Sequence, residues 1–151
     1  MKTFKTLADV AALVGQEVAS SDWTTVTQEQ VQRFADATHD HQWIHLDAER
    51  ASKGPFGAPI AHGFLTLSLL PALMQSTLSI EEARMGVNYG LNKVRFPSPV
   101  PVGSRLRARF ALQAAEQVDN RGWQFTWQAT IEREGGTKPV CVAETLSRLY
   151  P

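Results

Sequence analysis

From His62 to about Ser76 the chain carries the stretch that most restricts its folding: read as a helix, Phe64, Leu65, Leu67, Leu69, Leu70, Leu73 and Met74 leave almost no polar face. A helix that is apolar nearly all round must be buried on most sides, so another layer has to wrap it. Pro71 lies inside the stretch and removes the amide that would bond the Leu67 carbonyl, which predicts a bend or break there.

The second half of the chain supplies a wrapping layer. Val87 to Phe96 reads as a strand, and the following Pro97-Ser98-Pro99-Val100-Pro101-Val102-Gly103 cannot continue a central strand, so it is the crossing to the next one. Beyond it, Arg105, Arg107 and Arg109 alternate with Leu106, Ala108, Phe110 and Leu112. After the turn at Asp119-Asn120-Arg121-Gly122, the apolar residues Trp123, Phe125, Trp127, Ala129 and Ile131 alternate with polar ones. A turn at Gly135-Gly136 leads into a last strand, Pro139 to Tyr150. Period-two strands of this length predict an antiparallel sheet with one packed face. The expected class is therefore α+β, a strongly bent antiparallel sheet curled around one central apolar helix.

The first half reads as shorter pieces. Thr6 caps a helix running to Val14, with Asp9 at capping-box distance and Gly15 ending it. Glu17 to Val26 has the composition of a strand, and Thr27 opens a second helix that fades at Thr38. His39 to Leu46 has no clean period and reads as a loop, after which Asp47 caps a short helix from Ala48 to Ser52. The span of 151 residues, without repeat or linker, predicts one domain over 1–151.

All four histidines, His39, His41, His45 and His62, lie between Ala37 and Phe64, together with Asp40 and Asp47, in a segment rich in Gly and Pro. Titratable groups gathered just before a rigid helix are what a reaction site requires. Asp40 and His45 would sit about 140° apart on a continuous helix, so only a loop or broken helix can bring them together. Two readings of that spacing stand open. A carboxylate and an imidazole within reach of one water make an acid–base pair; alternatively, Asp40 caps a turn and His45 is a satisfied polar residue of a connection. Gly63, at the head of the apolar helix, offers an amide without an internal partner, suited to a developing oxyanion; alternatively, it is a glycine kept for packing.

Other classes are disfavoured. The histidine spacing matches no specific zinc pattern and no Cys is nearby, so no metal is expected. Cys141 sits in an alternating strand and reads as a packed residue, and no Gly-x-Ser-x-Gly elbow is present. Fifteen basic residues balance fifteen acidic ones, so no long-range field selects nucleic acid or an anionic membrane. Arg105, Arg107 and Arg109, with Lys93 and Arg95, read mainly as a solvated strand face. No stretch approaches the ~20 apolar residues that span a bilayer. With a single cysteine, a soluble cytoplasmic protein is the expectation.

Asp40-His41-Gln42-Trp43-Ile44-His45, then Ala51, then Ile60-Ala61-His62-Gly63, resembles the hydratase-2 motif of the MaoC-like dehydratases, the (R)-specific enoyl-CoA hydratases of the hot-dog fold. Arg95 to Gly103 is similar to the family's strand and turn after the central helix, and the chain closely resembles the short single-domain members related to nodulation protein N. The resemblance implies a hot-dog fold, Asp40 and His45 as the catalytic pair, and the Gly63 amide as oxyanion donor. It further implies acyl-CoA as the substrate, no cofactor, and a homodimer of two sheets joined edge to edge. Gln42, His62 and Ser68 are candidate substrate contacts. Where many members have Asn-Pro between the Asp and the His, this chain has Gln42-Trp43. The expected reaction is reversible hydration of a trans-2-enoyl thioester. The rivals are a thioesterase on the same fold and a thioester-binding module without catalysis.

Overall fold

Alternation along the long C-terminal strands decides which way the sheet faces and what it can cover. In the computed structural model, which describes residues 1–151, the elements run β1 (Lys2–Phe4), α1 (Leu7–Ala11), β2 (Glu17–Ser20), β3 (Thr24–Thr25), α2 (Gln28–Thr38), α3 (Trp43–Leu46), α4 (Ala48–Ser52), α5 (Gly63–Ser68), α6 (Leu70–Gln75), β4 (Leu78–Ile80), β5 (Met85–Arg95), β6 (Arg105–Gln117), β7 (Trp123–Arg133) and β8 (Cys141–Tyr150). The main sheet has the order β2-β6-β7-β8-β5, with β3 also on β6, and its pairings are antiparallel. A side ribbon pairs β1 with β4 in parallel, an addition that nothing in the first residues signals.

The inner face of the sheet is the predicted one. Leu106, Ala108, Phe110 and Leu112 of β6, Phe125, Trp127, Ala129 and Ile131 of β7, and Cys141 and Ala143 of β8 are all buried. The alternating residues face out, where Arg105 pairs with Glu134 and Arg107 with Glu132 across the β6–β7 register, and Arg109 reaches Glu17 of β2. These arginines are neutralised in place and form no anion-binding face. The Arg107 guanidinium holds the Glu132 carboxyl below the usual carboxylate range.

The central helix lies on this inner face, and it is broken where Pro71 predicts. α5 ends at Ser68 and α6 starts at Leu70, with Leu69 as the joint. Its burial is uneven, which departs from the expectation of a helix covered on most sides. Leu65, Thr66, Leu70 and Leu73 are buried, but Phe64 is 70% exposed. The helix and β5 leave a groove of about 550 Å³ between them. Its walls include Leu67, Leu70, Met74, Val87, Leu91 and Trp127. This side of the helix is left open. No helix is long and apolar enough to cross a membrane.

In the first half, Thr6 and Asp9 form the reciprocal capping box, although α1 stops at Ala11, short of Val14. The expected strand from Glu17 to Val26 is split into β2 and β3. The stretch from His39 to Leu46 is not all loop, because Trp43–Leu46 makes the single helical turn α3. A turn this short carries too little periodicity to be read from sequence.

Phe125 stands fully buried between Trp123 and Trp127, each ring centroid 6.2 Å away. Phe125→Ala is expected to lower folding stability by about 3–5 kcal/mol. Gln113→Ala, on the exposed face of β6, should change it by less than about 0.5 kcal/mol. Urea denaturation of the three proteins at one fixed concentration checks the contrast.

Candidate active site

The site is assembled from two ends of one folded loop. α2 stops at His39, whose left-handed conformation (φ 62°) turns the chain sharply and sets Asp40 beyond the helix. Asp40 is exposed, and its Oδ1 accepts from the Gln42 amide at 3.4 Å. α3 then carries His45 inward to 5% exposure. The Gln28 side chain, at the head of α2, donates to the His45 carbonyl at 2.9 Å and ties the two helices together.

The floor is the strap from Pro59 to Ala61. The Ile60 amide bonds the Ile44 carbonyl, the Ala61 amide the Val100 carbonyl, and the Val102 amide the Pro59 carbonyl. The proline-rich crossing between β5 and β6 therefore does more than connect strands, since it fixes this strap. The Ile60 carbonyl accepts from His45 Nδ1 at 2.6 Å. A carbonyl can only accept, so Nδ1 carries the proton and the neutral ring presents its lone pair at Nε2.

His62 follows the strap and is 3% exposed. Its ring stacks on that of His45, with centroids 3.8 Å apart and planes 26° from parallel. Phe34 of α2 lies 4.9 Å from the His62 ring. His62 Nε2 donates to the Asp40 carbonyl at 3.0 Å, and Nδ1 is buried without a partner. Gly63 is next in the chain and begins α5, for which His62 provides no side-chain cap. A Cβ at Gly63 would lie 3.0 Å from the Phe96 ring, so any larger residue here would have to push that ring aside.

A carboxylate oxygen of Asp40 and one ring nitrogen each of His45 and His62 lie within 4.8 Å of one another. Such a trio invites comparison with a metal centre. Imidazole ligates along a lone pair in its own plane, however, and two rings stacked nearly parallel are poorly disposed to converge on one ion at the ~2.0–2.1 Å of zinc–nitrogen bonds. The geometry suits proton handling around a water better.

Of the expected site residues, Asp40, His45, His62 and Gly63 come together. Gln42 stands at the lip as N-cap of α3 and contributes its amide to Asp40. Ser68 is not hydrogen-bonded to the pair; its hydroxyl donates to the Phe64 carbonyl at 2.6 Å, and the residue lines the apolar groove. His39 is the helix cap, and His41 pairs with Asp36 at 2.9 Å. Trp43 occupies the first position of α3, where a proline would also be tolerated. Its indole packs against Gly54, and the Arg50 guanidinium sits 4.3 Å over the ring, so packing anchors the turn in place of a proline. Phe34, Phe96, Gln28 and the Ile60 carbonyl were invisible in the spacing, because they are far away in sequence or act through the main chain.

The chain matches the family model described as MaoC like domain over residues 9–132. It is 55% identical to 3-hydroxyacyl-thioester dehydratase Z of Mycobacterium tuberculosis, with 98% of each chain covered. The chain belongs to the MaoC-like family. Within that family it is also 48% identical to nodulation protein N of Rhizobium leguminosarum, covering 93% of this chain and 89% of that one. The solved (R)-hydratase from A. caviae superposes with a TM-score of 0.69 at 25% identity, covering 91% of this chain and 96% of the other. The wrapped sheet is thus the hot-dog fold of the MaoC-like proteins.

Burial holds the His45 imidazole below the ordinary histidine value of 6.5; the bond to Ile60 and the Asp40 charge oppose this, while His62 adds to it. Unfolding returns the ring to water, where it takes up a proton first. His45 therefore adds stability that is complete above pH 6.5 and is lost as the pH falls through its depressed native value. Stability measured by urea at stepped pH should fall over this window in the native protein, and the slope should flatten in His45→Gln.

Proposed function

We propose that this chain is a hydro-lyase that adds water reversibly across the C2–C3 double bond of a trans-2-enoyl thioester of coenzyme A, giving the (R)-3-hydroxyacyl thioester. The observation that supports the reading is the cluster of Asp40, a tautomer-locked His45 and His62, with Gly63 next in the chain at the start of α5. The dehydratase and (R)-hydratase relatives support the reaction class.

A water between the pair has two hydrogens, and the site offers it two acceptors, the Asp40 carboxylate and the His45 Nε2 lone pair. As its oxygen bonds C3, one proton passes to the pair and the double-bond electrons move onto the thioester as an enolate. The Gly63 N–H stabilises that oxygen. The enolate collapses by taking a proton from the pair at C2, so the pair is restored and one water has been added. His45 enters this cycle as an acceptor because its buried ring is neutral and its only N–H is committed to Ile60. The groove whose wall includes Leu67, one helical turn beyond Gly63, would take the acyl chain.

In this reading the chain works as a homodimer in the cytoplasm. β5 is an edge strand of eleven residues, exposed along nearly its whole length, with Met85, Val87, Tyr89 and Leu91 uncovered. An edge so long and apolar is a template for pairing. A second copy laid against it would also close the open side of the groove.

Loss of enoyl absorbance on trans-2-enoyl-CoA substrates tests the activity. Asp40→Asn and His45→Gln are expected to lower kcat/KM by about 10²–10⁴-fold, and the native rate should fall on the acid side of pH 6.5 as His45 protonates. Release of free thiol without hydration would assign thioesterase chemistry instead. For assembly, light scattering should return twice the chain mass of 16.7 kDa. A charge placed in the edge, Leu91→Glu, should shift the protein toward monomer and lower activity with it.

A further inference from the structure

His62 stands in contact with every part of the proposed site, yet at 3% exposure it is closed to substrate. It stacks on His45, bonds the main chain of Asp40 across twenty-two positions of sequence, and is joined directly to Gly63. Besides this bond, the loop that carries Asp40 is held by the exposed pair of His41 with Asp36, 2.9 Å long. His39 before it is a left-handed cap, and Asp40 itself is exposed and keeps only a long 3.4 Å bond to the next turn. The His62 N–H is thus the one buried side-chain donor that ties the Asp40 main chain to the head of α5.

The choice of histidine here is itself informative. Its Nδ1 is buried and unpartnered, a defect worth about 1–3 kcal/mol in a folded protein. A phenylalanine would fill the same space between Phe34 and His45 without that cost. What it lacks is the donor to the Asp40 carbonyl.

We propose that His62 is the positioning residue of this site, coupling the Asp40 loop to the His45 ring so that carboxylate and imidazole address one water. It acts through these two residues and touches no reacting atom, so its role differs from that of a substrate contact. The inference rests on the reading of Asp40 and His45 as the acting pair. The charged and titratable groups acting on His45 are Asp40, from the loop between α2 and α3, and His62 itself, at the head of α5.

The test compares His62→Phe, which keeps a stacking ring and loses the donor, with His62→Gln, which keeps a donor and loses the ring. His62→Phe is expected to lower kcat by about 10–100-fold, the scale of a misplaced reacting group, with KM changed by less than about threefold. His62→Gln should recover part of the loss. The His45 ring, followed by NMR titration, should move upward in His62→Phe. Native kcat in His62→Phe, or a loss carried by KM alone, overturns the proposal. On the native protein, long-range proton–nitrogen NMR should find His62 protonated at Nε2 and His45 at Nδ1, and the opposite tautomer at His62 overturns the proposal even if the variants do not fold. Absence of turnover by the native protein on any enoyl thioester would defeat the hydratase reading, while the titration and tautomers would still decide whether His62 couples the pair.

Discussion

The buried hydrogen bond from His45 Nδ1 to the Ile60 carbonyl, 2.6 Å long, is the contact on which the site depends. It does three things at once. It satisfies a main-chain acceptor that has been taken out of water, it sets the tautomer of the ring, and it ties α3 to the strap at the head of the central helix. Losing the donor would leave a buried carbonyl unpaired, at about 1–3 kcal/mol, and would free the ring to turn. The strap is held from the other side by the connection between β5 and β6. A segment that is unable to join the sheet, because of its prolines, is thereby used to fix an imidazole.

The central helix has a second consequence. The sheet leaves part of its apolar surface uncovered, and that part lies beside β5, a long strand whose outer edge is unpaired. The two deficits are adjacent and of the same kind: apolar surface and main-chain groups both facing water. The groove between them is lined from Leu67 onward, one helical turn beyond Gly63, so whatever closes that side also shapes the space along α5.

Pairing on the outer face shows why charge patterns are poor guides to ligands. Arg105, Arg107 and Arg109 look like a basic stripe in sequence, but each finds a glutamate once β2, β6 and β7 are in register. The partners Glu17, Glu132 and Glu134 are far from them along the chain, and only the antiparallel register brings them opposite. The histidines show the same effect. His39, His41 and His45 are close in sequence, yet His45 pairs with His62, while His41 turns to Asp36 and His39 caps a helix.

By itself the sequence determined the local and periodic features of this protein. The inner faces of β6 and β7, the packed Cys141 of β8, the caps at Thr6, Thr27 and Asp47, and the break at Pro71 were legible, because strand alternation, capping and the missing proline amide act within a few residues. The order Asp40, His45, His62-Gly63 was legible as a motif and pointed to a MaoC-like protein. Tertiary structure alone decided the rest: the turn α3, too short to show a period; the lock on His45, made by a backbone carbonyl that has no side chain to read; the burial of His62 behind the pair; and the uneven covering of the central helix. Each of these depends on which distant segments meet, and the free energy of that meeting belongs to no single stretch of the chain.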